Sequence, residues 1–158
     1  MAKLCSEDEQ VKTSFELSLI SEKLETRNEI SWIHYKLILT GVDKNLVYEN
    51  EGQKGSGDYV FALKPINEIE KMTEGITGFL KDSAQKSFLF EPLEPSFEIV
   101  FERSYRGFSV VIWVDSGNVN FDHYSWDGFG LRFFTTEDKI NAFLDSLKSE
   151  NNLLKEKN

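Results

Sequence analysis

The chain is short of the residues that most often mark chemistry. Among its 158 residues there is one cysteine, Cys5, and there are two histidines, His34 and His123. A single cysteine excludes an intramolecular disulfide and with it the disulfide-stapled secreted class, so a reducing, cytoplasmic setting is the expectation. Two histidines and one cysteine, far apart and in no ligand-spacing motif, supply no converging set of three or four zinc ligands. Basic residues are also scarce, 18 Lys and Arg against 27 Asp and Glu, for a formal net charge of −9. That balance argues against a phosphate-backbone binder, which gains affinity by neutralising phosphates with cations. No apolar run approaches the length of a membrane span, and the opening MAKLCSEDEQ carries no apolar stretch of the kind a leader peptide needs. Neither metal, cofactor, nucleic acid nor membrane is expected as a partner.

What the chain does have is core-forming material. Hydrophobic residues make up 40% and aromatics 13%, with thirteen Phe, enough to offset the entropy of folding by burial. The length fits one domain. The polar ends set the expected boundaries: a flexible tail over 1–13, a single domain over 14–150, and a frayed tail over 151–158.

Period-two alternation predicts strands in SFELSLI (14–20) and EISWIHYKLILTG (29–41), the latter with Ile33, Tyr35, Leu37 and Leu39 on one face and Trp32, His34 and Lys36 on the other. LVYEN (46–50) and DYVFALK (58–64) flank EGQKGSG and read as a hairpin with a glycine-rich connection. PINEIEKMTEGITGFLKD predicts a helix over about 65–81, with Ile66, Ile69, Met72, Ile76, Phe79 and Leu80 at helical spacing, Pro65 in the first turn, and Gly75 and Gly78 weakening it. KSFLFEP, PSFEIVFER and GFSVVIWVD are further strands, the last two joined by a turn over Ser104–Gly107. FGLRFFT precedes a second helix over about 136–149, capped by Thr135 or Thr136, with Ile140, Phe143, Leu144 and Leu147 on one stripe. Each half runs strands first and helix last, and GDYVFALKPINEIEKM shares a loose pattern with DGFGLRFFTTEDKINAF, which raises an ancient duplication as one reading. Hairpin-length connections make the fold class α+β with a mostly antiparallel sheet.

Motifs that suggest chemistry fail on inspection. GQKGSG lacks the Lys-Ser/Thr step and the following helix that a phosphate loop requires, since a strand follows it. His123 and Ser125 lie close in sequence, but on one face of an extended chain they stand roughly 7 Å apart, and no strained nucleophile turn surrounds Ser125. Glu91, Glu94, Glu98 and Glu102 could suggest a glycosidase pair, yet Glu98 and Glu102 alternate with Phe97, Ile99 and Phe101 as the wet face of an amphipathic strand would. No catalytic residue is assigned.

An acidic, aromatic segment remains. Ser87–Gly130 holds seven acids, Glu91, Glu94, Glu98, Glu102, Asp115, Asp122 and Asp127, against Arg103 and Arg106, so a net of −5 out of the chain's −9 falls there. Within it, Asp122, Tyr124, Trp126 and Asp127 interleave aromatic anchors with carboxylates, a combination suited to a basic partner. The residues expected to contact that partner are Asp115, Asp122, Tyr124, Trp126, Asp127, Glu91 and Glu94. The same stretch packing its aromatics onto the core is the plainer alternative.

From about Ile30 to Leu147 the chain resembles the WapI-type immunity proteins of bacterial toxin systems. The resemblance lies in the Trp-bearing strand ISWIHYKLIL, the central amphipathic helix, FLFEPLEPSFEIVFE after it, and the closing FGLRFFTTEDKINAFLDSL. It implies a non-enzymatic protein that binds and neutralises a cognate toxin C-terminal domain, often a basic nuclease; exposed apolar strand edges leave a monomer or a weak dimer as the expected state. FEPLEPSF carries two Glu-Pro steps and LKPINEI departs from an acidic helix start, which leaves subfamily and toxin open. Two other readings stand beside it: a small hydrolase using His123 with Asp122 or Asp127, and a regulatory adaptor without toxin specificity.

Overall fold

The computed structural model describes residues 1–8, 10, 12–49, 59–115 and 128–156. Two antiparallel sheets and two helices account for them, the α+β class that the alternating patterns and short connections predict. The first sheet contains β1 (Ala2–Cys5), β2 (Ser14–Arg27), β3 (Ile30–Thr40), β4 (Asn45–Glu49) and β5 (Val60–Lys64). Helix α1 (Glu68–Lys81) follows. The second sheet is a meander of β6 (Ser87–Phe90), β7 (Phe97–Ser104), β8 (Gly107–Asp115) and β9 (Gly128–Thr135), and α2 (Glu137–Glu156) closes the fold.

The predicted hairpin between β4 and β5 is not formed. Both strands pair antiparallel with the same edge of β3, β4 along Lys36–Thr40 and β5 along Ser31–His34, so they run in the same direction and do not pair with each other. An eleven-residue strand rising about 3.3 Å per residue is long enough to take two five-residue partners end to end. The pairing continues past β5 proper, where the Tyr35 N–H donates to the Tyr59 carbonyl at 2.9 Å. The connection EGQKGSG lies outside the described residues.

Both expected tails are structured where they are described. β1 pairs with β2, burying Ala2 and Leu4 completely, and Lys3 adds an ion pair to Glu16 at 2.6 Å. Two apolar residues are too few to register as a period among charged neighbours, which is why the strand escaped the sequence pattern. Cys5, expected in a loose tail, is a half-buried strand residue whose carbonyl accepts the Thr135 hydroxyl at 2.8 Å. At the other end α2 runs on to Glu156. Its buried stripe, Ile140, Phe143, Leu144 and Leu147, continues through Asn151 and Leu154 at the same three- and four-residue spacing. The asparagine disguised that continuation.

Helix α1 begins three residues later than predicted. Asn67, with extended backbone, is its N-cap, and the Asn67 Oδ1 accepts the Glu70 N–H at 3.0 Å. Ile66 thereby falls before the helix and stays exposed, while Ile69, Met72, Ile76 and Phe79 are buried as expected. Gly75 has a packing role, because a Cβ there would sit 2.4 Å from the Phe88 ring. At the other end Arg103 of β7 serves the helix C-terminus, its Nη2 donating to the carbonyls of Phe79 at 2.7 Å and Leu80 at 3.1 Å.

One contiguous core joins the two sheets and both helices. Its centre is Phe97 of β7, whose ring lies 5.6 Å from Tyr35, 6.1 Å from Phe61, 6.2 Å from Phe15 and 6.3 Å from Phe90. Phe97, Ile99 and Phe101 share the inner face of the second sheet; its Phe97 end meets the first sheet. Its Phe101 end meets α1 through Phe79 at 6.5 Å. The opposite face of that sheet is therefore turned outward.

Candidate functional site

The strand registers define the outward face of the second sheet. Leu89, Val100, Val111 and Arg132 align across β6 to β9, with Glu98 beside Trp113 in one flanking row and Glu102, Ser109 and Phe134 in the other. Leu89 is 55% exposed, Val100, Val111, Trp113 and Phe134 are half-buried, and Glu102 is exposed. Arg132 Nε donates to Ser109 Oγ at 3.1 Å, and Arg106 lies over the Phe134 ring at 5.1 Å. Three apolar residues and an arginine thus form the central row, with charged and aromatic residues in the rows beside it.

Next to Leu89 the chain leaves β6 as EPLEP and borders a groove of about 390 Å³, lined by Ile66, Lys71, Glu91, Pro92, Leu93 and Pro95 among others. Ile66 and Leu93 are each 62% exposed. Beneath them Glu68 is 4% exposed and forms a clip. Its Oε2 accepts the Ala62 N–H at 2.7 Å, and its Oε1 accepts the Leu93 N–H at 2.6 Å. Burial pushes the Glu68 carboxyl above the ordinary range, the two backbone donors and Lys71 oppose that shift, and the like charge of Glu94 adds to it. The clip holds the EPLEP connection against β5 and the start of α1, so the groove wall is positioned by a residue whose role no sequence motif indicates.

The expected contact residues divide three ways. Glu91 is exposed and lines the groove with Leu93, and Glu94 is half-buried in the same EPLEP connection. Asp115 is fully buried at the end of β8, where its N–H donates to the Ser96 carbonyl at 3.0 Å. Its charge faces Tyr59 and, after burial and Tyr48, contributes to holding the Tyr59 phenol far above its ordinary value. A carboxylate without solvent contact presents nothing to a partner, so Asp115 belongs to the interior. Asp122, Tyr124, Trp126 and Asp127, and His123 with them, lie outside the described residues.

Arg103, counted among the charges of the Ser87–Gly130 segment, is committed to α1 and stacks over the Phe79 and Phe108 rings at 4.9 and 5.4 Å. His34 is half-buried as its strand face predicts, and its Nε2 meets the Glu25 carboxylate at 3.1 Å. Among the described residues no group of three or more His, Cys, Asp and Glu is arranged to hold a metal ion. No helix of the described residues is long and apolar enough to cross a membrane. Comparison with protein families, with curated proteins and with solved structures finds no match to this chain.

Proposed function

We propose that the protein is a non-enzymatic immunity-type binding protein that occupies and neutralises the C-terminal domain of a cognate bacterial toxin, a basic domain of nuclease type met in the cytoplasm. The observation that carries this reading is the exposure of Leu89 on the outward sheet face and of Glu91 and Leu93 at the groove that follows it, apolar side chains alternating in sequence with a carboxylate. Such a surface offers apolar anchors for affinity and negative charge for steering a basic partner into register. With net charge −9, the long-range field of the chain works in the same direction. The resemblance noted in the sequence suggests the toxin as the partner, and Asp122, Tyr124, Trp126 and Asp127 stay candidate contact residues by their chemistry alone.

The test is protection. Reading frames neighbouring this protein's own are screened for a basic toxin C-terminal domain, which is expressed in a bacterial host with the wild-type chain or with the Leu89→Asp, Glu91→Lys, Leu93→Asp triple variant. Wild type rescues growth; the variant, folded by circular dichroism, loses rescue and binds at least about a hundredfold more weakly, the loss of hot-spot anchors. Equal protection by both proteins removes this surface from the proposal, and no protection by either removes the immunity role.

A further inference from the structure

A second concavity lies across the start of α1 from the groove. The chain from Lys64 to Lys71 partitions them, with Pro65, Asn67 and Glu70 turned to one side and Ile66, Glu68 and Lys71 to the other. This second cleft, of about 490 Å³, is enclosed by the β2–β3 hairpin end, the end of β5, the start of α1 and the last turns of α2. Its volume falls in the range of small-ligand sites, about 300–1,000 Å³. Leu24, Leu63, Pro65 and Leu154 provide apolar wall.

The polar groups of the cleft are unequally satisfied. Both of its carboxylates are engaged: Glu70 in an ion pair with Lys155, and Glu25 with Arg27 and with His34, each at 3.1 Å. Donors are left over. As N-cap, Asn67 must present Oδ1 to the Glu70 N–H, so its Nδ2 is the atom that donates to Asn151 Oδ1, at 3.2 Å. That bond fixes the Asn151 amide in turn and leaves its Nδ2, with two N–H donors, unpartnered among the described residues. Asn151 is 4% exposed and lines the cleft, so a ligand in the cleft is what its amide can still reach. The Asn151 Nδ2 keeps contact with solvent in the cleft, so an acceptor bound there can take its N–H groups in place of water. On the rim, Lys64 makes no ion pair among the described residues.

We infer that this cleft binds a carboxylate bearing an apolar substituent, either a short organic acid or the C-terminal residue of a peptide, with Asn151 and Lys64 holding the carboxylate and Leu63, Pro65 and Leu154 the substituent. Two leftover donors beside engaged carboxylates select an anion over a cation, and the apolar wall selects against small inorganic anions. The site is independent of the toxin-binding proposal and uses none of its contact residues.

The full chain, labelled with ¹⁵N, is titrated with hexanoate and with the isosteric, uncharged hexanamide. Hexanoate produces saturable shifts at the Asn151 side-chain amide and at Lys64 and Leu154, and hexanamide binds about tenfold more weakly, the loss of a charge-assisted bond. N-acetylglycyl-leucine is compared in the same way with its C-terminal amide. If the free peptide binds more tightly than hexanoate the carboxylate comes from a chain terminus, and if more weakly it comes from a free acid. Lys64→Gln, at an exposed position that leaves the fold intact, weakens hexanoate several-fold and leaves hexanamide unchanged; Asn151→Leu supplies a second disruption. Absence of saturable shifts in the cleft, equal binding of acid and amide, or unchanged hexanoate binding by Lys64→Gln overturns the inference.

Discussion

The Glu68 carboxylate accepts the Leu93 backbone N–H at 2.6 Å across 25 residues of sequence, while its other oxygen accepts from Ala62. One buried side chain thus fastens the EPLEP connection to the body of the protein. Glu68→Gln keeps the size but can satisfy only one of the two N–H groups as an acceptor, so it loses about 1–3 kcal/mol in denaturant unfolding, the cost of a stranded buried donor. The pH dependence follows from the raised carboxyl of Glu68. A raised folded value means the folded state holds this proton more tightly, so the stability that Glu68 contributes is greatest below the ordinary value of 4.5 and falls as pH rises above it. The stability difference between wild type and Glu68→Gln therefore narrows as pH rises through that window, and a difference that widens contradicts the burial of the charge.

Tyr59 presents the reverse case, a polar atom with nothing to gain from its surroundings. Its hydroxyl is buried without a hydrogen-bond partner among the described residues, against the Tyr35 ring at 5.7 Å. Tyr59→Phe removes an unmet group and keeps the ring, so its stability is unchanged or up to about 1 kcal/mol higher. The phenols of Tyr35 and Tyr59 are both raised, chiefly by burial. Raised folded values give stability that is complete below the ordinary value of 10.0 and is lost above it. In alkaline titration followed at the phenolate absorbance band, these two tyrosines ionise together with loss of the circular dichroism signal, whereas independent ionisation of the folded protein runs against the burial.

Two glycines of α1 give opposite results on substitution. Nothing lies within 4 Å of a Cβ built on Gly78, so Gly78→Ala stabilises the helix by about 1 kcal/mol, the difference in helix propensity. A Cβ on Gly75 meets the Phe88 ring at 2.4 Å, so Gly75→Ala costs about 1–3 kcal/mol despite the same propensity gain. Thermal unfolding of the two variants in parallel separates the packing term from the propensity term.

Leu154 and Leu153 test the end of α2 in the same way. Leu154 is buried and Leu153 is 58% exposed. Leu154→Ala loses about 2–5 kcal/mol, as core truncations do, while Leu153→Ala changes stability by no more than about 0.5 kcal/mol. Equal, small effects at both positions mean a frayed terminus.

Arg103 is expected to resist conservative replacement. Its guanidinium reaches the carbonyls of Phe79, Leu80 and Gln85 and stacks on two rings at once. A lysine ammonium lacks the planar fork, so Arg103→Lys costs about 1–3 kcal/mol by denaturant unfolding, where an ordinary surface arginine shows almost none.

Element types were largely legible because burial is periodic. β3 announces itself through Ile33, Tyr35, Leu37 and Leu39, all of which reach the core, and α1 through Ile69, Met72, Ile76 and Phe79. The signal failed where a period had too few members, as at Ala2 and Leu4, or was broken by one polar residue, as at Asn151. Among the candidate site residues, Glu91 and Glu94 were legible as acidic positions after the helix. Glu68 was not, because an acidic residue in the first turn of a helix is ordinary in sequence and becomes a clip only when Leu93 is brought against it. Asp115 misled for a related reason, since composition counts a charge without telling where its side chain points.

The sequence by itself determined the antiparallel α+β class, the excess of acid and the exclusion of a disulfide within these residues, because these follow from alternation, charge count and residue inventory, all local or additive. Tertiary structure alone decided that β4 and β5 share one edge of β3, that Asp115 is interior, and that two concavities flank the start of α1. Each depends on groups far apart in the chain, such as Glu68 with Leu93 and Asn67 with Asn151, meeting in space. Side-chain periodicity fixes which face of an element is buried but carries no record of which distant element will cover it.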